Sequence, residues 1–209
     1  MKQGYFITFE GGEGTGKSTQ VKMLEKILSE QGYLVYTTRE PGGAQVAEEI
    51  RKILKSYSGI DPLSEALLMF AARREHFVKT IRPRIKQGYI VISDRFYDSS
   101  LVYQGILKNI PIEYLVQLKN MTLADFEPDL TIILDISSTI AKQRIADRQL
   151  CLDDYDLMSV DEYNKVRNGF KKIAEIFPDR CKIVDSSKHE KAVSSKINKI
   201  VTSFLKTSN

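Results

Sequence analysis

Cysteine is almost missing from this chain: 209 residues contain two, Cys151 and Cys181, without metal-ligand spacing. No disulfide framework can be built on them, and they read as reduced thiols of a cytoplasmic protein. No apolar run approaches 18 residues and no charged-then-apolar leader opens the chain. Membrane-spanning and secreted readings are therefore excluded. The net charge is only +4, and its Lys and Arg residues are spread without a dense block. That balance suits anionic small molecules and gives no ground for nucleic-acid binding. Internal repeats, low-complexity stretches and a linker are all lacking. With 42% hydrophobic residues the expectation is a single domain over 1–209 with a sizeable core.

What is present is organised around one stretch. Tyr5-Phe6-Ile7-Thr8-Phe9 is a short apolar run of the buried-strand type, and Val21, Leu24, Ile27 and Leu28 recur downstream at helical spacing. Between them stands Gly11-Gly12-Glu13-Gly14-Thr15-Gly16-Lys17-Ser18-Thr19, the strand–loop–helix form of a phosphate-binding loop. Glycines let successive backbone N–H groups turn inward as an anion nest, and the helix N-terminus adds its positive dipole end. Lys17 is placed to reach the β- and γ-phosphates of a nucleoside triphosphate, and the Ser18 hydroxyl to take a Mg²⁺ position.

Further strands are predicted at Tyr33–Thr38, Tyr89–Ser93, Thr131–Asp135 and Lys182–Asp185. A helix with Val46, Ile50, Ile53 and Leu54 on one face follows the second strand. Asp61 and Pro62 read as N-cap and first residue of a long helix running to Gly88, with a disturbance near Pro83. Helix, polar segment and helix fill Ser138 to about Phe177, and an amphipathic helix closes the chain. Strands separated by helices imply parallel β-structure: an α/β, three-layer P-loop NTPase fold with a five-stranded parallel sheet flanked by helices. Ligands of such sheets sit beyond the strand carboxyl ends. The loop, Arg39-Glu40-Pro41, Asp94-Arg95 and the segment after Asp135 converge there. Asp94 falls where a carboxylate would help hold Mg²⁺, with a helix N-cap as its alternative role.

A regulatory GTPase needs a guanine-reading Asn-Lys-x-Asp, and neither Asn164-Lys165 nor Asn198-Lys199 leads to that Asp. Motor-type ATPases carry an acidic pair where this chain has Asp94 followed by Arg95, a cation suited to a second anionic substrate. Here a family resemblance emerges. Thr38-Arg39-Glu40-Pro41-Gly42-Gly43, Asp94-Arg95-Phe96 and Asp98-Ser99-Ser100-Leu101-Val102-Tyr103-Gln104-Gly105, in order after the loop, resemble the bacterial thymidylate kinases.

The resemblance implies transfer of a phosphoryl group from ATP, with Mg²⁺, to dTMP, and a homodimer. It implies that Glu13 faces the sugar 3′-hydroxyl and that Glu40-Pro41 is cis and shapes the monophosphate pocket. Arg51 and Arg95 are expected near the monophosphate, Arg73 at a thymine carbonyl, Ser100 and Gln104 at the base's polar edge, and Tyr103 against the 2′ position. Arg51 as a solvated helix arginine and Tyr103 as a core residue stand as alternatives. Arg74 and His189 are expected at the surface, and His76 packed or solvated.

Two departures from the family are visible. Met69 occupies the position of the Phe that stacks on thymine, with Phe70 one residue on. A mobile lid over about 144–156 is implied, in which Arg144 and Arg148 match lid arginines, but the family's Asp-Arg reads Asp153-Asp154. Lys17, Arg95, Asp94 and the lid arginines Arg148 and Arg144 are therefore the catalytic candidates. A kinase of another nucleoside or monophosphate, and a nucleotide-binding switch, are the competing readings.

Overall fold

The computed structural model describes residues 4–147 and 155–207. Five strands form one fully parallel sheet: β1 (Tyr5–Glu10), β2 (Val35–Arg39), β3 (Ile90–Asp94), β4 (Leu130–Asp135) and β5 (Cys181–Asp185). Their order across the sheet is β2-β3-β1-β4-β5, which puts β1 and the loop after it at the centre. The helices are α1 (Lys17–Glu30), α2 (Gln45–Ser56), α3 (Pro62–His76), α4 (Arg82–Lys86), α5 (Tyr97–Ser100), α6 (Ile112–Leu123), α7 (Ser138–Ala146), α8 (Val160–Ile176) and α9 (Glu190–Thr207). Among the described residues no helix is long and apolar enough to cross a membrane.

Alternation along the strands builds two cores. Ile7 and Phe9 of β1, with Ile90, Ile92, Ile132 and Leu134, face Val21, Leu24 and Leu28 of α1 and Val193, Ile197 and Val201 of α9. Phe6, Val91 and Ile133 point the other way, into side chains from α3, α6 and α8. Both sheet faces are covered, which is why the strands read as near-continuous apolar runs. Thr8 and Thr131 are the polar exceptions; they are register partners, and their hydroxyls hydrogen-bond at 2.8 Å.

Three expectations shift. β2 begins at Val35, two residues late, because Tyr33 and Leu34 stand in solvent. The long helix after Asp61 starts as read, with the Asp61 carboxylate accepting from Ser64 N. Its disturbance, however, is a π-helical turn over Phe77–Ile81, upstream of Pro83. Proline lacks an N–H and crowds the carbonyl four residues back, so the wider turn absorbs the misfit before the ring. The face of α2 is also different from its reading: Val46 and Ile53 are exposed, and Ala47 is the helix's fully buried residue. The stretch 97–123, unassigned from sequence, holds α5, a second π-helical turn over Leu101–Leu107, and α6. Of the two cysteines, Cys181 is free and buried, its thiol pushed up to about 12 mainly by burial; Cys151 lies outside the described residues.

Candidate active site

The carboxyl ends of β1 and β3 set the chemistry. Phe9 and Asp94 are register partners, so the glycine loop leaving β1 and the polar turn leaving β3 emerge side by side. The loop folds on itself: Thr15 Oγ1 donates to Gly12 O at 2.8 Å, and Lys17 Nζ donates to Gly11 O and Gly12 O at 3.0 and 2.9 Å. Gly14 has φ 74°, and a Cβ there would lie 2.7 Å from Ala141 O of α7. No side chain fits, so this loop position supplies no cation. Burial holds the Lys17 ammonium below its ordinary pKa, and the positive charge of Arg95 adds to that; Glu13, Asp94 and Glu10 oppose it. An arriving polyphosphate would favour the charged form.

Ser18 Oγ donates to Asp94 Oδ2 at 2.6 Å, bringing the two expected Mg²⁺ ligands together. Both are hard oxygen donors at the loop mouth, a set that fits Mg²⁺ completed by nucleotide oxygens and water. Thr19, beside them, is exposed on the first turn of α1.

Arg95 is held at φ 74°, a left-handed conformation that L side chains resist. This turns its guanidinium back over the loop. Nη1 donates to Gly11 O and Ser99 Oγ at 3.1 and 3.0 Å, while Nη2 donates to Tyr103 OH at 3.2 Å and to the Glu13 carboxylate. Burial alone would lower the Arg95 pKa, but Glu13, then Tyr103 and Asp94, hold it well above the ordinary value. Beneath lies Glu10, fully buried and accepting from Phe96 N and Ser99 Oγ at 2.8 and 2.5 Å. Burial and then the charge of Asp98 raise its pKa to about 8.

These groups open into a cavity of about 620 Å³. Lys17, Ser18, Asp94 and Arg95 line one end; Glu40, Pro41 and Arg51 line a side, and Met69, Tyr103 and Gln104 lie further in. The Glu40–Pro41 peptide is cis, and Arg51 Nη1 donates to Pro41 O at 2.8 Å. The two base-stacking candidates separate. Met69 lines the cavity, whereas Phe70 is core, with the Arg73 guanidinium 4.7 Å over its ring.

Arg73 and Ser100 are also placed behind the wall. Arg73 is 1% exposed and donates to Glu40 Oε2 at 2.6 Å, Ser100 Oγ at 3.0 Å and Phe96 O at 3.2 Å. His76, equally buried, bridges Glu40 Oε1 at 3.0 Å and Thr38 Oγ1 at 2.7 Å. Thr38, His76, Glu40, Arg73 and Ser100 thus form one continuous polar chain supporting the pocket side. As read from sequence, Arg74 is exposed at the surface, as is His189.

At the lid, Arg144 Nη2 donates to Ser186 O at 2.9 Å, tying α7 to the segment after β5; it is not part of the cavity wall. Arg148, Asp153 and Asp154 lie outside the described residues.

Several residues at the site escape the sequence reading. Tyr163 packs under Gly12 and donates to Glu13 O at 3.2 Å, and Arg167 grips Asp135 through two donors at 2.6 and 2.8 Å. They stand four apart on α8, so helical spacing is the available signal. Glu65, Lys108 and Tyr155 line the inner end of the cavity. Glu65 lies one turn before Met69, and that i, i+4 spacing puts both on the cavity face of α3.

The known proteins agree with this geometry. The thymidylate kinase family model matches residues 9–197. A thymidylate kinase of Geobacillus sp. (strain WCH70) is 44% identical over 189 residues, covering 89% of this chain and 90% of its own. One from Caldicellulosiruptor saccharolyticus is 41% identical over 208 residues, covering 98% of each. Among solved structures, the thymidylate kinase of Ehrlichia chaffeensis superposes with a TM-score of 0.79 at 36% identity, covering 95% of this chain and 99% of that one. With the matched region running from the end of β1 into α9 and including the whole polar crevice, the chain belongs to the thymidylate kinase family.

Proposed function

We propose that this chain phosphorylates dTMP to dTDP with ATP and Mg²⁺, by direct in-line transfer. One observation carries the reading: a P-loop cation, Lys17, and a second cation, Arg95, face one cavity together with the Ser18–Asp94 pair. Two anions can meet there. A phosphate oxygen of dTMP attacks the γ-phosphorus, and the bond to the bridging oxygen of ADP breaks. No covalent intermediate on the protein is needed, because phosphoryl transfer asks chiefly for positioning and charge neutralisation.

Lys17 takes the β- and γ-phosphate oxygens. Ser18 and Asp94 would hold Mg²⁺, which supplies charge neutralisation of the ATP phosphates when bound. Arg95 and Arg51 receive the monophosphate, and Arg148 brings a cation when the lid covers the site. Excluding water from that closed site suppresses hydrolysis of ATP. Glu13, held by Arg95, faces the sugar 3′-hydroxyl. Tyr103, 5.0 Å beneath the Arg95 guanidinium, crowds the 2′ position. Arg73 acts here from behind the wall, through Ser100 and Glu40.

The test is coupled turnover with dTMP, dUMP, AMP, CMP and thymidine as acceptors. The expected result is dTMP preferred at least tenfold in kcat/KM; a better acceptor elsewhere in the panel rejects the substrate, and no turnover at all rejects the enzyme. The cytoplasm, where nucleotides are built, is the corresponding location.

The homodimer belongs to the same reading. Val46 and Ile53 of α2, Leu63 and Leu67 of α3, and Ile112, Val116 and Met121 of α6 are exposed apolar residues on helices that pack together as α2–α3 and α3–α6. A patch shared by three adjacent helices is a sufficient hydrophobic face for self-association. Sedimentation at micromolar concentration should give a dimer, and Leu67→Arg a monomer. A monomeric wild-type protein would remove this assembly.

A further inference from the structure

The inner end of the cavity holds a side chain whose hydrogen bonding is half finished. Gln104 is 1% exposed, its Nε2 donates to Glu65 Oε1 at 2.7 Å, and its Oε1 has no hydrogen-bond partner among the described residues. A buried amide oxygen without a donor is costly, and this one belongs to a residue of the cavity wall. The oxygen itself is covered, so a small turn of the side chain is what brings it to an N–H of a molecule in the cavity.

The orientation of that amide follows from chemistry. Glu65 receives three donors: Gln104 Nε2, Tyr155 OH at 2.6 Å on the same Oε1, and Lys108 Nζ on Oε2. An ionised carboxylate only accepts. Gln104 must therefore turn its NH₂ to Glu65, and its oxygen is left without a donor. Lys108 faces the pair from the second π-helical turn's end, and Tyr155 closes over it, its ring 4.8 Å from that of Tyr103.

We propose that Glu65 is a positioning residue that fixes the polarity of Gln104, so that the site accepts a base carrying a ring N–H and rejects one with a lone pair there. This rests on the dTMP reading above and extends it to a residue that acts through Gln104. Thymine has N3–H and an O4 acceptor. Its 4-amino counterpart, 5-methylcytosine, keeps the methyl group and sugar but reverses both polarities. Against wild-type Gln104, its N3 lone pair meets an oxygen.

Glu65→Gln should undo the selection. The introduced side chain has one oxygen, which the Lys108 ammonium claims, since an ammonium has no acceptor of its own. Its NH₂ then faces Gln104, and two NH₂ groups cannot face each other. Gln104 flips and offers its own NH₂ to the base. The experiment measures kcat/KM for dTMP and for 5-methyl-dCMP in wild type, Glu65→Gln, Gln104→Met and the double variant. The expected result is a fall of tenfold or more in the dTMP/5-methyl-dCMP ratio for Glu65→Gln. In the Gln104→Met background, where an apolar chain has no polarity to invert, the same substitution should change the ratio by less than twofold. Glu65→Ala, which frees the amide without inverting it, should also lower the ratio and serves if the first variant does not fold.

An unchanged ratio in Glu65→Gln, or an equal fall with and without the Gln104 amide, overturns the proposal while leaving dTMP kinase activity standing. Wild-type enzyme that does not turn over dTMP rejects the underlying reading, and this inference falls with it.

Discussion

Lys17→Ala should lose on the order of 10³-fold or more in kcat, about 4 kcal/mol of transition-state stabilisation, while keeping its fold. The geometry explains both halves. Lys17 Nζ is bound to two loop carbonyls, Gly11 O and Gly12 O, and its side chain is nearly covered. Those contacts exchange readily for phosphate oxygens, because the same residue lines the cavity at the mouth of the loop. Charge that develops on the migrating phosphoryl therefore meets an ammonium already desolvated, the condition in which a cation acts most strongly. The fold survives because the carbonyls left behind keep other donors, Arg95 Nη1 on Gly11 O and Thr15 Oγ1 on Gly12 O. The variant Lys17→Met, which keeps the length and loses the charge, should be equally inactive. Single-turnover measurement with saturating ATP and dTMP checks this, alongside thermal melting of the empty protein. More than a tenth of wild-type kcat in either variant would be incompatible with the P-loop mechanism.

The parts of the site legible in sequence are those written into short contiguous segments. The loop from Gly11 to Ser18 needs glycine, lysine and hydroxyl at fixed spacing, so its residues announce it. Asp94-Arg95 can be placed because a buried strand ends there. Three-dimensional neighbours are harder. Phe70 and Met69 are adjacent in sequence but project to different sides of α3, and the i, i+4 spacing of Glu65 and Met69, both on the cavity wall, marks which one faces the cavity. The resemblance puts Arg73 in direct contact with the base, yet its guanidinium is sequestered by Glu40, Ser100 and Phe96 O. A sequence shows a cation there but not the carboxylate that claims it. His76, expected packed or solvated, packs, and it also links Thr38 to Glu40, residues 36 and more positions away. The π-helical turn over Leu101–Leu107 is illegible for another reason. It changes the direction of Tyr103 and Gln104 without leaving a proline or glycine signature at its start.

Arg95→Ala should be as damaging as the loss of Lys17, but with a different kinetic pattern. The wild-type guanidinium neutralises Glu13 and touches Tyr103 at the point where the loop meets the inner cavity. Removing it takes away a cation for the monophosphate and exposes the Glu13 carboxylate to that same anion. Attraction turns into repulsion, so KM for dTMP should rise as kcat falls, giving a loss of about 10³-fold or more in kcat/KM. Lys17→Ala should leave KM for dTMP nearly unchanged. Arg95→Lys keeps the charge and loses the fork that reaches Gly11 O, Ser99, Glu13 and Tyr103 together, and should fall between wild type and Arg95→Ala. Adding Glu13→Gln to Arg95→Ala should recover part of the KM, since the uncompensated carboxylate is gone, without restoring kcat. The backbone offers an independent check. Alanine at φ 74° keeps the left-handed strain, whereas glycine relieves it, so Arg95→Gly should melt higher than Arg95→Ala by the equivalent of about 1 kcal/mol while being no more active. If Arg95→Ala stays within tenfold of wild-type kcat/KM, Arg95 serves only to brace Glu13 and the assignment of the second anion site to it fails.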